Sequence, residues 1–277
     1  MRQTKPGQQG RSSSIRKNKN WRKTPLGIIL IVMCVTAFLS GRALAESNDS
    51  QYITVKTNQT AITTGQTSSG PIQSAKTPKT ENTDAWNLVL VNKTHPIKEN
   101  NPIQLVQLKN GQAIDERAYP ELQAMMDDAR AAGLSPYICS SYRTNEKQTT
   151  LYNNQVNQYR KRGYSEADAA AEAGKWVAIP GTSEHQIGLA VDIVAKSYQV
   201  LDKKQESTAE QRWLMENCHK YGFILRYPSE KSEITGIGYE PWHYRYVGKD
   251  AAAAIMKEGK CLEEYLDGLS SSIAGAI

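Results

Sequence analysis

Three short clusters in the second half of the chain combine residue types that can bind a metal ion or move a proton. They are Ser140-Ser141-Tyr142-Arg143 with Gln148, Ser183-Glu184-His185 through Asp192, and Glu240-Pro241-Trp242-His243-Tyr244-Arg245. Metal-assisted hydrolysis needs imidazole and carboxylate ligands, a further carboxylate as a base and a donor for developing negative charge. A single histidine is more often a core or surface residue, so the clusters carry weight only together.

The segment that ends near Asp192 has the pattern of a strand with two different faces. Alternation places Gly188, Ala190 and Asp192 on one face and Leu189, Val191 and Ile193 on the other. The apolar face indicates core packing. Small residues beside the carboxylate of Asp192 leave room for an ion or a substrate. The alternative is an edge strand whose Asp192 points to solvent, but glycine and alanine are seldom needed at such positions.

The third cluster also predicts a strand, from Trp242 onwards. Its residues alternate, with Trp242, Tyr244 and Tyr246 on one face and His243 and Arg245 on the other. Glu240 precedes a proline, which favours an extended conformation there. A bend at the start of the strand can then bring the carboxylate of Glu240 close to His243. The alternative is an ordinary salt bridge between Glu240 and Arg245.

The chemistry of these side chains favours zinc. His185, Asp192 and His243 form a three-ligand set, and a tetrahedral zinc ion with three protein ligands keeps one position for water. Glu240 is the candidate general base, because hydrolysis needs a carboxylate that takes a proton without binding the metal. His95 and His219 lack small or acidic neighbours and are interpreted as structural or surface residues.

The elements that position these clusters mix helices and strands without a regular alternation. Helices are predicted from Tyr119 to Ala132, from a cap at Thr144 to about Arg162, and after the capping boxes that begin at Ser165 and Ser207, ending near Lys175 and Tyr221. Strands are predicted at Trp86–Val91, Ser135–Ser141, Gly188–Ile193, Phe223–Arg226 and Trp242–Val247. This order favours an α+β domain over a doubly wound one.

The N-terminal region has the composition of an export signal. The first 45 residues hold nine Lys and Arg and no acid, so the formal charge of +6 becomes about −3 beyond them. An uncharged apolar segment, 26–39, follows the basic stretch, and Ala43-Leu44-Ala45 fits a cleavage site. Counted from Pro25 to Gly41, the stretch has 17 residues, which is the lower limit for a helix that spans a bilayer, so a cleaved signal and a retained anchor are both open. Because the excess of base lies in this segment, nucleic acid is not expected as a partner.

Composition divides the chain into five parts. We expect a basic cytoplasmic segment (1–24), a signal or anchor (25–45), a Ser/Thr-rich disordered linker (46–84), a single catalytic domain (85–267) and a C-terminal tail (268–277). The domain would lie on the outer face of the cell membrane, or be secreted. Three cysteines lie beyond the apolar segment, at Cys139, Cys218 and Cys261, so at most one disulfide can form within the chain.

Taken together, the three clusters resemble the zinc D-Ala-D-Ala carboxypeptidases of the VanY kind. Their motifs SxxRxxxxQ, SxHxxGxAxD and ExxH followed by an aromatic residue and Arg are matched in order, beginning at Ser140, Ser183 and Glu240. The start at Trp86 is also similar to the first strand of that family, so the resemblance covers roughly residues 85–267. No motif position departs from the pattern.

The resemblance implies zinc held by His185, Asp192 and His243, with Glu240 as general base and Arg143 stabilising charge. It implies substrate contacts for Arg143, Gln148 and Ser183, and a small α+β fold shared with hedgehog signalling domains. The expected substrate is a peptidoglycan stem peptide ending in D-Ala, and a monomer is expected.

The sequence leaves other readings of the function open. D,D- and L,D-carboxypeptidase activity are not distinguished. An endopeptidase that cuts within cross-links or stems is a rival. A non-catalytic, zinc-stabilised wall-binding module is another, although it is disfavoured because Glu240 and Arg143 are both present.

Overall fold

The computed structural model describes residues 86–98 and 102–274. The predicted basic segment, apolar segment and linker, residues 1–84, lie outside the described residues. Within the described ranges, no helix is both long enough and apolar enough to cross a bilayer.

The described part is an α+β domain, as predicted, built on a four-stranded antiparallel sheet. The strands are β1 Leu105–Gln107, β2 Ala113–Asp115, β3 Pro136–Ser140, β4 Ala190–Ala195, β5 Phe223–Leu225 and β6 His243–Tyr246. The main sheet has the order β3-β4-β6-β5, and β1 and β2 form a separate antiparallel pair. The last strand of the chain therefore lies between β4 and β5, which makes β4 and β6 the two central strands.

Helices surround this sheet. They are α1 Tyr119–Ala131, α2 Asn145–Lys161, α3 Glu166–Ala173, α4 Ala209–Asn217, α5 Ser232–Thr235, α6 Lys249–Glu258 and α7 Leu262–Ala274. Shorter 3-10 turns lie at Glu184–Ile187, Lys203–Ser207, Cys218–Tyr221 and Ser229–Lys231. Helix α7 continues beyond residue 267, the predicted end of the domain.

Two of the three predicted helix caps are confirmed. Thr144 accepts a hydrogen bond from the backbone N–H of Lys147, and Ser165 accepts one from Asp168. The third prediction was wrong by one residue: Thr208 caps α4, while Ser207 ends the preceding 3-10 turn. Both residues are hydroxyl side chains in adjacent positions, so the sequence pattern did not separate them.

The predicted strand Trp86–Val91 is not present. That segment forms no β-ladder in the described structure. The residues that follow it form one isolated β-bridge, between Asn92 and His95. Its apolar side chains still pack inward, because Leu88 and Val91 are buried. Burial therefore explains the apolar run, although the backbone does not pair with the sheet.

The main core lies on the face of the sheet that alternation predicts. Leu189, Val191 and Ile193 pack with Tyr244 of β6 in one buried cluster, which also holds Leu122 of α1. The opposite face carries Asp192 and His243. Two further clusters join α2 to α3 and pack α6 and α7 against the domain.

A buried network of two arginines and two glutamates ties distant parts of the chain together. Arg226 Nε donates to Glu184 Oε1 at 2.7 Å, while its Nη1 and Nη2 donate to the carboxylate of Glu263 in α7 at 2.8 and 2.7 Å. Arg245 Nη1 donates to the same Glu184 oxygen at 2.8 Å, and its Nη2 donates to Val89 O, also at 2.8 Å. The network thus joins the start of the domain, β6 and the last helix.

The charge of Glu263 should stabilise the fold at neutral pH. Burial by itself raises the pKa of Glu263, but the Arg226 guanidinium outweighs that effect and lowers the pKa below its ordinary value. The stabilisation is therefore present above the unfolded pKa of about 4.3 and is lost as pH falls through the lower folded pKa.

We predict that Glu263→Gln lowers the free energy of unfolding at pH 7 by on the order of 3 kcal/mol, since it removes one of the two buried carboxylates that pair with Arg226. The difference from the unmodified protein should shrink as pH falls below about 4.3. Urea unfolding in EDTA measures both effects. Glu258→Gln, which removes a carboxylate paired with Lys260 at the surface, should change stability by less than about 1 kcal/mol. Equal urea midpoints for the two variants would contradict the prediction.

Candidate active site

The register of the two central strands brings two predicted ligands together. Asp192 in β4 is the cross-strand partner of His243 in β6. Helix α4 supports this pairing through Gln211, whose amide bonds to the backbone carbonyl of Ile193 and accepts a hydrogen bond from the Tyr244 hydroxyl at 2.7 Å. The sheet and the helix behind it therefore fix both side chains on the same face.

The third ligand candidate enters from the 3-10 turn Glu184–Ile187. Gly188 ends that turn with φ of 68°, a left-handed conformation that favours glycine. A Cβ at Gly188 would also lie 3.2 Å from the backbone nitrogen of Asp115. Glycine is needed here for both reasons, because the chain must reverse from His185 into β4 while touching β2.

The three predicted ligands form one compact, buried group. Their ligand atoms all lie within 4.8 Å of one another. His185 Nε2 lies 3.3 Å from Asp192 Oδ2, and His243 Nδ1 lies 3.1 Å from Asp192 Oδ1. The two imidazole rings are nearly perpendicular, with centroids 4.8 Å apart.

Hydrogen bonds select the nitrogen that each histidine offers. His185 Nδ1 lies 2.8 Å from the carbonyl oxygen of Ser141, so it carries the proton and leaves Nε2 as the electron-pair donor. His243 turns the other way, with Nδ1 toward Asp192. Asp192 Oδ1 is buried and has no hydrogen-bond partner among the described residues. Two imidazole nitrogens beside such a carboxylate oxygen are a donor set that suits zinc.

The two histidines of the site have different electrostatic surroundings. Burial, with the nearby Arg143 guanidinium, lowers the pKa of His185 to about 4, so this ring is neutral at pH 7. Burial alone lowers the pKa of His243 too, but the carboxylates of Asp192 and Glu184 outweigh it and raise that pKa to about 9. The same carboxylates would stabilise a metal cation.

Glu240 lies beside the ligand group, as the sequence predicts. The backbone N–H of His243 donates to the carbonyl of Glu240 at 3.2 Å, which closes the expected bend. Glu240 Oε2 lies 3.7 Å from His243 Nδ1. The alternative salt bridge to Arg245 does not form, because Arg245 binds Glu184 and backbone carbonyls instead. Burial and, more weakly, the Asp192 carboxylate raise the pKa of Glu240 to about 8.

Arg143 also reaches the ligand group. Its Nη2 donates to Asp192 Oδ2 at 2.8 Å, its Nε and Nη2 donate to Ser140 Oγ, and its Nη1 donates to Gln148 Oε1 at 3.2 Å. These bonds within the described structure use four of the five N–H groups of a guanidinium. One Nη1–H is left to point at a bound molecule.

Gln148, which the sequence predicts to contact the substrate, is a buried side chain beside Arg143. It is fully buried in α2, its Nε2 donates to Ala178 O at 2.7 Å and its Oε1 accepts from Arg143. It does not line the cavity that opens over the ligand group. Its contacts hold Arg143 in place.

A cavity of about 330 Å³ opens over the ligand group. The three ligand candidates, Glu240, Arg143 and Ser183 all line it. Its outer walls come from α2, including the exposed Lys147, and from Trp176, Leu201 and Trp242. Trp242 departs from the predicted strand face, since it precedes β6 and packs with Leu201 on the cavity side.

The other histidines lie elsewhere. His95 is exposed and forms the isolated β-bridge with Asn92, and His219 lies in the 3-10 turn Cys218–Tyr221. Neither belongs to a group of potential metal ligands in the described part of the chain. Cys139, Cys218 and Cys261 are free thiols.

Comparison with known proteins gives a consistent result. Residues 111–249 match the VanY family model, described as D-alanyl-D-alanine carboxypeptidase. An Enterococcus faecalis D-alanyl-D-alanine carboxypeptidase is 44% identical over 243 residues, covering 87% of this chain and 88% of the relative. This chain belongs to the VanY family.

Two solved VanY structures are also similar. VanYB in complex with D-alanine-D-alanine is 50% identical, with a TM-score of 0.62 over 66% of this chain and 98% of that one. A VanY variant from the VanB-type resistance cassette, in complex with Zn(II), is 50% identical, with a TM-score of 0.60 over 65% and 99%. The predicted family is therefore confirmed.

Proposed function

We propose that this protein is a zinc-dependent D,D-carboxypeptidase that removes the C-terminal D-alanine from peptidoglycan stem peptides. The observation that carries the proposal is the convergence of His185, Asp192 and His243 beside Glu240 at the base of one cavity. Family membership supports it, as do the zinc ion and the D-alanine-D-alanine in the two similar VanY structures.

The three ligand candidates would hold zinc through His185 Nε2, His243 Nδ1 and the Asp192 carboxylate. Zinc in such a site acts as a Lewis acid and makes water a better nucleophile at neutral pH. Glu240 is close enough to take a proton from the attacking water, and it is not itself part of the ligand group. It then returns that proton to the leaving amine.

Arg143 is suited to the negative charge that develops on the scissile carbonyl. Its guanidinium is held by Ser140, Gln148 and Asp192, and only about 12% of its side chain is exposed. A donor held in this way does not have to reorganise when the oxyanion forms. We assign Gln148 the role of positioning Arg143, and Ser183 that of contacting the peptide from the cavity wall.

The base and the ligands should be separable by mutation. Glu240→Gln is expected to bind one zinc per chain and to lose roughly 10²–10⁴-fold in kcat, because the ligand group is intact while the proton acceptor is gone. His243→Ala should lose zinc and activity together. Metal analysis after dialysis and hydrolysis of a D-Ala-D-Ala pentapeptide measure the two properties.

His219→Ala is the control for the histidine variant, since His219 is a partly buried histidine that lies outside the ligand group. It should keep both zinc and activity. Full activity in Glu240→Gln, or in metal-free protein verified by metal analysis, would show that the proposed chemistry is wrong.

A free C-terminal carboxylate should be required in the substrate. Arg143 and Lys147 are the basic residues in the cavity lining, and a carboxypeptidase buries a terminal carboxylate near such groups. Amidation of the C-terminus should reduce kcat/KM by about 10- to 100-fold, as expected for leaving a polar partner unsatisfied. The measurement compares free and amidated pentapeptides by mass spectrometry.

An endopeptidase would respond differently to the same change. It does not bind a terminal carboxylate at the cleaved bond, so amidated and free peptides would be cut at equal rates, and cross-linked dimers would be cut internally. Either result would reject the carboxypeptidase assignment while leaving the metal site intact. A tetrapeptide stem in the same assay measures L,D activity directly.

We also propose that the catalytic domain works outside the cytoplasmic membrane. A basic segment (1–24), a signal or anchor (25–45) and a Ser/Thr-rich linker (46–84) would precede it, and its substrate polymer is extracytoplasmic. The charge asymmetry of the first 45 residues supports this arrangement.

Cell fractionation combined with N-terminal sequencing tests this placement. A full-length chain in the membrane fraction is expected for a retained anchor, and an N-terminus at Glu46 is expected for a cleaved signal. Recovery of the domain from the cytosol would contradict both forms of the proposal.

A further inference from the structure

Glu184 faces the candidate ligand His243 but does not line the cavity, and it has no role in the proposed reaction. Its side chain is fully buried, and it begins the 3-10 turn that also carries His185. Glu184 Oε1 accepts hydrogen bonds from Arg226 and Arg245. The other oxygen, Oε2, lies 3.5 Å from His243 Nε2.

The two facing atoms, Glu184 Oε2 and His243 Nε2, are both buried, and neither has a hydrogen-bond partner of ordinary length within the described residues. Their separation of 3.5 Å is the outer limit for a hydrogen bond. A small rotation of the ring or the carboxylate closes it without breaking another hydrogen bond of either atom.

The proton on His243 decides which of its nitrogens can bind a cation. Nδ1 faces Asp192 Oδ1, so it must be unprotonated to act as a ligand. In the neutral ring the proton then lies on Nε2, which is aimed at Glu184. Histidine ligands commonly donate the proton of their second nitrogen to a carboxylate, which fixes the ring and strengthens its ligand nitrogen.

We propose that Glu184 is a positioning residue for the metal site: it accepts the Nε2 proton of His243 and so holds the tautomer that presents Nδ1 to zinc. The inference rests on the proposed zinc function. The two arginines keep the Glu184 carboxylate in this orientation, because both donate to its Oε1.

Glu184→Gln is a sharp test because all of the groups that face this side chain are donors. A carboxylate accepts on both oxygens, whereas a glutamine amide has one acceptor oxygen and one NH₂ group. Two arginine donors should claim the oxygen, which turns the NH₂ toward His243 Nε2. The imidazole then places its proton on Nδ1, the nitrogen needed by the metal.

We expect Glu184→Gln to bind zinc about 10- to 100-fold more weakly than the unmodified protein. Competition with a chromophoric chelator measures the zinc Kd without any catalytic assay. Glu263→Gln is the matched control, because it makes the same substitution in the same buried network without contacting His243. It should lose stability while its zinc Kd stays within about twofold of the unmodified value.

The outcomes separate this inference from the proposed function. Unchanged zinc affinity in Glu184→Gln, or an equal loss in Glu263→Gln, would overturn the positioning role and leave the zinc enzyme standing. Failure of the unmodified protein to bind zinc would instead reject the proposed function.

A measurement on the unmodified protein serves if Glu184→Gln does not fold. NMR spectra of zinc-loaded protein labelled with ¹⁵N-histidine should show a proton on Nε2 of His243 that exchanges slowly with water. His219→Ala and His95→Ala variants assign the remaining signals. A proton on Nδ1 of His243, or an Nε2 proton in fast exchange, would contradict the proposal.

Discussion

The pairing of β4 with β6 is the constraint on which the site depends. Asp192 and His243 are cross-strand partners, and a slip of one residue would turn one of them toward the main core. That core face holds Val191, Ile193 and Tyr244, so the apolar packing that stabilises the sheet also selects the register that brings the ligands together. The catalytic geometry is thus a consequence of the burial of the opposite face.

The position of the third candidate ligand, His185, depends on the same sheet in a different way. His185 precedes β4 by a short turn, and the left-handed Gly188 lets that turn fold back against β2. The Ser141 carbonyl at the end of β3 then orients the ring. Two neighbouring strands, β4 and β6, therefore supply one candidate ligand each, and the end of β3 supplies the hydrogen bond that orients the third. A small sheet is thus sufficient for a buried site.

Buried charge shapes the surroundings of the ligands. Asp192, Glu184 and Glu240 place three carboxyl groups around His243, and such a group of acids is costly to bury without positive charge. Arg143 offsets Asp192 on the cavity side, while Arg226 and Arg245 offset Glu184 on the inner side. Within the described residues Glu240 forms no ion pair with an arginine, and burial raises its pKa to about 8. A cation in the ligand group would favour the ionised form that a base needs.

Sequence reasoning reached the ligand set because those residues follow local rules. Alternation along a strand predicted the faces of Asp192 and His243, and hydroxyl caps predicted α2 and α3. It did not show that Gln148 bonds to Arg143 without lining the cavity, because a motif gives the order of residues and not which of them reaches the cavity. It found no role for Glu184, although that residue adjoins a ligand. The reason is distance along the chain: the arginine partners of Glu184 lie 42 and 61 residues away, and only the fold places all of them around one carboxylate. A side chain whose role is to orient a ligand has no local pattern of its own, so that role can be inferred only when the groups that face each of its oxygens are known.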